Sequence, residues 1–411
     1  MNIVQEFTAR GLVADKTAEL SEIFSKERTV YLGIDPTADS AQVGNLALFI
    51  TMKRLGMAGN TLIFLIGGAT GMIGDPKEKG ERTPLRAREA RSNTRALKKQ
   101  LNNIFGKTHF RIVDNADWLL KVPLVSFLRD IGKHFTVNEL IKRETIRRRL
   151  ETPDESISYT EFTYTLLQGY DYLVLNKKYG CDLQIGGSDQ WTNILSGVEL
   201  LRRKEQKQVY ALTMPLVIDA LGKKFGKSEG NAVWLDPQKT SPFLFYQFWL
   251  NQPDDMLETY LKFYTFLTLG KIEECLMKHH QNPGARGAQM TLASEVTGLV
   301  HGKAAAEAAA AASGALFGGG ALSSLSQKAR SVVLAEAPTL KTNTGALITS
   351  ILVAGKLAAS KGEARRLIEG KGISLGGKTI LTDRQLSAAD FTGGLALIKK
   401  GKRDILVLVS K

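Results

Sequence analysis

At 411 residues, with 43% hydrophobic and 23% charged side chains, the chain is ordinary in composition and too long for one core, so two or three domains are expected. No apolar run reaches the roughly 18 residues of a membrane helix, and the early Glu6, Asp15 and Glu19 without an apolar core segment argue against a secretory or transit leader. The two cysteines, Cys181 and Cys275, lack metal-ligand spacing and point to a reducing compartment, the cytosol, while the net charge of +14 points to a polyanionic partner.

Residues 1–28 read as a helical lead-in. A strand over Thr29–Ile34 then stops at Asp35-Pro36, because proline biases the residue before it away from helix. A small polar segment follows, and apolar spacing from Leu46 to Leu55 predicts a helix. Strand, tight loop and helix N-terminus aim backbone N–H groups and a positive dipole end at an anion, so this corner is a candidate phosphate site. It carries neither the dinucleotide fingerprint nor a P-loop. Next come a strand over Thr61–Ile66, the glycine-rich Gly67-Gly-Ala-Thr-Gly-Met-Ile-Gly-Asp-Pro76, a polar helical region from about Pro84 to Ile104, and a strand over Phe110–Val113. Strands alternating with helices predict a mostly parallel sheet, with ligands beyond the carboxyl ends of its strands, where Asp35, Asp75 and Asp114 fall.

Residues 118–160 read as helical and include Lys142-Arg-Glu-Thr-Ile-Arg-Arg-Arg149, for which a solvated helix face is the plain reading and a phosphate contact the alternative. The sheet resumes over Cys181–Ile185 and closes on Gly186-Gly-Ser-Asp-Gln-Trp191. A further strand is expected to end near Ile218, before the basic turn Leu221-Gly-Lys-Lys-Phe-Gly-Lys-Ser-Glu-Gly-Asn231. Beyond Trp234 the pattern is helical, through the alanine-rich run that ends at Gly314, and Gly318-Gly-Gly320 with Pro338 and Asn343 marks a hinge or linker. From Lys341 to Lys411 there are 13 Lys or Arg against 5 Asp or Glu, so nucleic acid is the leading partner and an anionic membrane surface the weaker one.

Tyr164, Gln168 and Asp171 stand at i, i+4 and i+7, on one helix face. Alone they read as a core tyrosine and a surface acid; with Gly186–Gln190 close behind, they read as a grip for a small zwitterion. Lys223, Lys224 and Lys227 form a basic loop that can neutralise developing phosphate charge, or a solvated turn. The five histidines show no metal or triad spacing, which argues against metal hydrolysis and Ser/His catalysis.

These residues together resemble the bacterial-type tyrosyl-tRNA synthetases, a class I aminoacyl-tRNA synthetase family, over nearly the whole chain. The motifs are Tyr31-x-Gly33-x-Asp35-Pro36-Thr37-Ala38-Asp39-Ser40, the Gly67–Pro76 run, Tyr159-Thr-Glu-Phe-Thr-Tyr164 with Gln168 and Asp171, Gln184–Trp191, Lys224-Phe-Gly-Lys227-Ser228 and Val233-Trp-Leu-Asp-Pro237. The resemblance implies an α/β fold: a Rossmann-like, mostly parallel catalytic domain over 1–222 with a helical insertion near 118–160, a signature loop and all-helical anticodon domain over 223–330, a linker over 331–345, and a small α+β RNA-binding module over 346–411. That last module is similar to one in a ribosomal small-subunit protein, with Ser360, Lys361, Arg365 and Arg366 on its basic helix.

By the same resemblance, Tyr31 and Asp171 hold the substrate phenol, Tyr164, Gln168 and Asp75 its α-ammonium, with Gln190 near the carboxylate and Asp35 in the same pocket. Gly33, Thr37 and Gly44 sit by the ATP phosphates and Asp189 on the ribose, while Lys224, Lys227 and Ser228 match the mobile lysine signature. Lys79 and Arg82 continue that clamp, in a segment one residue shorter than the family's. Leu32 and Thr192 replace the cysteine and glycine expected beside the nucleotide. The implied reaction is tyrosine activation by ATP with Mg²⁺, without an organic cofactor or a protein metal cage, then transfer to the 3′ end of tRNA(Tyr) by a homodimer joined through 120–160. One departure motivates a rival: the signature His-x-Gly-His falls at 42–45, where this chain has Gln42-Val-Gly-Asn45. The rival is a catalytically impaired, synthetase-like RNA-binding protein. Against it, glutamine and asparagine also carry neutral N–H donors.

Overall fold

The computed structural model describes residues 1–76, 85–218, 225, 232–401 and 404–411, with two compact units, one over 1–239 and 253–274 and the other over 240–252 and 275–411. In the first unit, β1 (Thr29–Ile34), β2 (Thr61–Ile66), β3 (Arg111–Asp114), β4 (Leu183–Gly187) and β5 (Tyr210–Met214) form one sheet in the order β3-β2-β1-β4-β5, every pairing parallel. β2, β4 and β5 are near-continuous apolar runs buried on both faces, as a helix-covered parallel sheet requires. The chain runs outward from β1 to β3, then returns to place β4 on the other side of β1. A crevice therefore opens beyond the carboxyl ends of β1 and β4.

Local chemistry sets the elements around that crevice. The helix Val43–Met57 starts three residues before the predicted Leu46. The helix Tyr159–Tyr179 begins at Ser158, whose hydroxyl accepts from the Glu161 N–H in a capping box, and ends at Gly180 with φ of 65°. It carries Tyr164, Gln168 and Asp171. The region over 118–160, read as helical, consists of the short helices Ala116–Leu119, Leu124–Asp130, Val137–Leu140 and Glu144–Glu151, with Pro123 and Thr136 each standing at a helix start. β5 ends at Met214 rather than near Ile218, because Pro215 has no N–H to continue the ladder.

In the second unit, helices Pro242–Leu250, Gly287–His301 and Lys303–Leu316 precede a second sheet. Its strands are β6 (Thr339–Thr342), β7 (Ile373–Leu375), β8 (Lys378–Thr379), β9 (Leu395–Lys400) and β10 (Asp404–Ser410), in the order β6-β10-β9-β7-β8. β6 pairs parallel with β10 and the other pairings are antiparallel, with β7 and β8 joined by Gly376-Gly377, both at positive φ. The stretch 331–345, read as a linker, holds the end of helix Gln327–Glu336 and strand β6. The hinge is bridged by packing. Leu316 and Val333 on one side join Leu395, Leu397 and Val407 on the other in a single apolar cluster. No helix of the described residues is long and apolar enough to cross a membrane.

Candidate active site

The crevice of the first unit is a cavity of about 400 Å³. Tyr31, Gly33, Asp35, Thr37, Gln42, Gly44, Asn45, Asp75, Tyr164, Gln168, Asp171, Asp189 and Gln190 all line it. Side chains from segments far apart in the chain thus converge on one wall-to-wall space. Lys79, Arg82, Lys224, Lys227 and Ser228 lie outside the described residues.

At the deep end, Tyr31 is 1% exposed and Asp171 2% exposed. Asp171 accepts from Asn115 Nδ2 at 2.9 Å and Trp118 Nε1 at 2.7 Å. Burial nevertheless raises its pKa to about 7, against those two donors and with the help of nearby Asp35 and Asp114. No group among the described residues partners Tyr31 Oη, Gln168 Oε1 or Gln184 Oε1, although all three are buried. Buried polar atoms are almost always paired, so this end is shaped for a ligand that brings its own hydrogen-bonding groups.

The middle is acidic. Tyr164 Oη donates to Asp35 Oδ2 at 2.8 Å, and Thr70 Oγ1 donates to Asp35 Oδ1 at 2.9 Å. Gly67 must be glycine here, since a Cβ would stand 1.9 Å from Asp35 Oδ1. Asp75 accepts from Gln190 Nε2 and Asn193 Nδ2, each at 2.9 Å. Arg143 in turn donates to Asn193 Oδ1 at 3.0 Å and Thr165 Oγ1 at 2.6 Å, and burial lowers its pKa to about 10. Carboxylates fixed in this way attract a cation.

The outer end is the N-terminus of the helix Val43–Met57. The Gln42 backbone N–H donates to Asn45 Oδ1 at 3.1 Å, which leaves the Asn45 amide N–H₂ as its remaining donor. The chain following the lysine loop is zipped to this corner: Val43 N donates to Val233 O and Leu235 N to Ala41 O, both at 2.9 Å. Phe225, 5% exposed, packs at a tilt against Tyr260 at 4.6 Å between centroids, and its carbonyl lies 3.0 Å from where a Cβ on Gly44 would stand.

Sequence reasoning missed Asn115, Trp118, Asn193 and Arg143, and it gave no role to Thr70 and Gln184, which stand in the quoted motifs. Asn115 carried a signal, since it directly follows the carboxyl end of β3, and Asn193 stands one turn after Gln190. Arg143 carried none, being one of several arginines in a charged run. On the second unit, Ser360 caps the helix Lys361–Glu369 by accepting from Glu363 N, and Lys361, Arg365 and Arg366 are exposed.

The family described as tRNA synthetases class I (W and Y) matches residues 25–318. A tyrosine–tRNA ligase of Anaeromyxobacter dehalogenans is 43% identical over 98% of both chains. One of Aeromonas hydrophila is also 43% identical, over 98% of this chain and 97% of the other. Among solved structures, a C-terminally truncated Aspergillus nidulans mitochondrial tyrosyl-tRNA synthetase superposes with a TM-score of 0.68 at 32% identity, over 75% of this chain and 92% of the other. Nothing in these likenesses favours a non-catalytic RNA-binding protein.

Proposed function

The chain belongs to the tyrosine–tRNA ligases of the class I synthetases, and from that premise we propose how its own residues divide the reaction. Tyrosine enters phenol first. Its hydroxyl donates to Asp171 and accepts from Tyr31 Oη, whose lack of any other described partner is the observation that carries this reading. The α-ammonium sits among Asp75, Tyr164 and Gln168, with Asp35 behind Tyr164, and the carboxylate turns toward Gln190. ATP, as its Mg²⁺ complex, lies across Gly33, Thr37 and Gly44, with Asp189 on its ribose.

A tyrosine carboxylate oxygen attacks the α-phosphorus, the bond to the β,γ-pyrophosphate breaks, and tyrosyl-adenylate remains. A terminal ribose hydroxyl of tRNA(Tyr) then attacks the tyrosyl carbonyl and AMP leaves. No covalent protein intermediate is needed, so positioning and charge stabilisation carry the rate. The amide N–H₂ groups of Gln42 and Asn45 donate to phosphate where the family has imidazoles, and Lys224, Lys227, Ser228, Lys79 and Arg82 supply the remaining charge and donors. Lys361, Arg365 and Arg366, beside the capping Ser360, hold tRNA backbone phosphates, and the helical part of 223–330 meets the anticodon. The exposed Leu120, Leu124, Val125, Leu128 and Val137 support a homodimer through the 120–160 region. The two free cysteines suit the cytosol.

Tyrosine-dependent ATP–pyrophosphate exchange tests this reading, and its absence at every ATP level would overturn it. The pH profile carries a sharper test. Asp171 titrates near 7 in the unliganded site, and a phenol donor binds the ionised form. At pH 6 about a tenth of the sites are ionised, so the KM for tyrosine rises roughly tenfold between pH 8 and pH 6, and Asp171→Asn abolishes that dependence. Stability runs the other way. The folded-state pKa stands above the ordinary 3.8, so the carboxyl favours the unliganded fold at low pH, and that contribution is lost as pH rises through 7.

A further inference from the structure

The positive charge of this chain is concentrated in two places. From Lys341 to Lys411 there are 13 Lys or Arg against 5 Asp or Glu, and from Arg86 to Arg111 there are 8 against a single Glu. The remainder is balanced, at 34 Lys or Arg against 35 Asp or Glu, so the whole of the +14 resides in these two segments. The first is the small C-terminal module. The second is built on the helix Ala87–Phe105, in the first unit.

On that helix the charges are sorted. Ala90, Asn93, Thr94, Leu97, Leu101, Ile104 and Phe105 are buried, while Arg88, Arg91, Arg95, Lys98 and Lys99 are exposed or half-buried. At 3.6 residues per turn the five cations fall within roughly 100° of arc, and Glu89 falls outside that arc. From Arg88 to Lys99 the stripe runs for about 16 Å at 1.5 Å per residue. Arg88, Arg95, Lys98 and Lys99 form no ion pair among the described residues. Some exposed cations elsewhere in this unit are matched on their own helices, as in Arg202–Glu199 at 2.6 Å and Arg147–Glu151 at 3.4 Å. Like charges spaced three and four residues apart weaken a helix, so the four cations without an ion pair are unfavourable for folding and favourable toward a polyanion. The buried face of the same helix holds the phosphate corner. Asn93 Nδ2 donates to Pro36 O at 2.8 Å, Gln100 Nε2 to Ser40 Oγ at 2.8 Å, and Gln100 Oε1 accepts from Ala41 N at 2.9 Å.

We propose that the stripe Arg88, Arg91, Arg95, Lys98 and Lys99 is a second RNA surface, which takes the sugar-phosphate backbone of the tRNA being charged, separately from the C-terminal module. The proposal rests on the tyrosine–tRNA ligase reading. Charge matching argues for a nucleic-acid backbone, since 16 Å covers roughly five phosphates of one strand at 3.4 Å each. Such contacts position the RNA without reading its sequence.

The test uses the full chain with Arg88, Arg95, Lys98 and Lys99 all changed to alanine. In the absence of tRNA, tyrosine-dependent pyrophosphate exchange stays within twofold of wild type. Affinity for tRNA(Tyr) at 100 mM KCl falls at least tenfold. The slope of log affinity against log salt becomes shallower by about 3, at roughly 0.7–0.9 for each phosphate no longer neutralised. A parallel Lys361→Ala/Arg365→Ala/Arg366→Ala variant isolates the C-terminal contribution. Wild-type tRNA affinity and slope in the stripe variant overturn the proposal, even where exchange is intact and the C-terminal variant loses tRNA. A stripe variant that loses phosphatidylglycerol vesicles but keeps tRNA overturns the RNA assignment. Absence of exchange in the wild-type chain instead removes the functional reading on which the proposal rests.

Discussion

Replacing Asp171 with alanine lowers kcat/KM for tyrosine in pyrophosphate exchange by roughly 10²–10³, while the KM for ATP changes by less than about threefold. The magnitude follows from what the side chain does. A hydrogen bond to a charged group contributes about 1.5–3 kcal/mol, and a polar group left buried without a partner costs about 1–3 kcal/mol. With Asp171 gone the substrate phenol loses its acceptor in a site where Tyr31 Oη has no other described partner. A net loss near 3–4 kcal/mol corresponds to the stated range. The effect is confined to tyrosine because Asp171 lies at the deep end of the cavity, on the middle of the helix Tyr159–Tyr179, whereas the nucleotide corner is built by the start of Val43–Met57. Equal losses for both substrates would show that the side chain supports the fold of the site rather than the phenol. The same geometry predicts rejection of phenylalanine, which would leave Asp171 and Tyr31 facing a hydrogen.

Much of this site was legible because its parts are local. The i, i+4, i+7 stripe of Tyr164, Gln168 and Asp171 needs only helical periodicity, and the corner from Asp35 to Asn45 needs only a strand, a turn and a helix start. The side chains that hold those residues were not legible. Asn115 and Asp171 are 56 positions apart, and Arg143 and Asn193 are 50 apart. Nothing in sequence spacing records such pairings, since each is set by how the sheet and the helices around it pack. Backbone chemistry explains the misread elements. Pro215 ended β5 short of an apolar run that looked like its continuation. The residues from 331 to 345 looked like a linker because Pro338 and Asn343 punctuate them, yet the four residues of β6 fit between those two and complete an edge of the second sheet. The run from Lys142 to Arg149 divides in two. Lys142, Arg147 and Arg148 are exposed, as the plain reading expected, but Arg143 and Arg149 turn inward.

Arg149→Ala destabilises the first unit by about 3–5 kcal/mol, the cost of removing one member of a buried ion pair. Arg149 is 4% exposed and Glu161 1% exposed, and Nη1 meets Glu161 Oε1 at 2.7 Å. The other Nη donates to the Ser156 carbonyl, which fixes the loop entering the next helix. Alanine leaves a carboxylate sealed from water without its cation. In a unit of this size a loss of that order lowers the melting temperature by roughly 10 °C, which differential scanning calorimetry reads directly. The damage also reaches the site, because Glu161 closes the capping box of the helix that carries Tyr164 one turn later. KM for tyrosine therefore rises with KM for ATP unchanged, by less than in Asp171→Ala, since the tyrosine contacts are loosened and not removed. A second substitution separates lost charge pairing from lost packing. Glu161→Gln in the Arg149→Ala background removes the stranded charge while keeping a hydrogen-bonding side chain of the same length, and it recovers part of the lost melting temperature. If the double variant melts no higher than Arg149→Ala alone, the cost lies in the cavity left by the arginine stem and the ion pair contributes little. If Arg149→Ala melts within about 2 °C of wild type, the pair holds neither the loop nor the helix start, and Ser158 alone is sufficient to cap it.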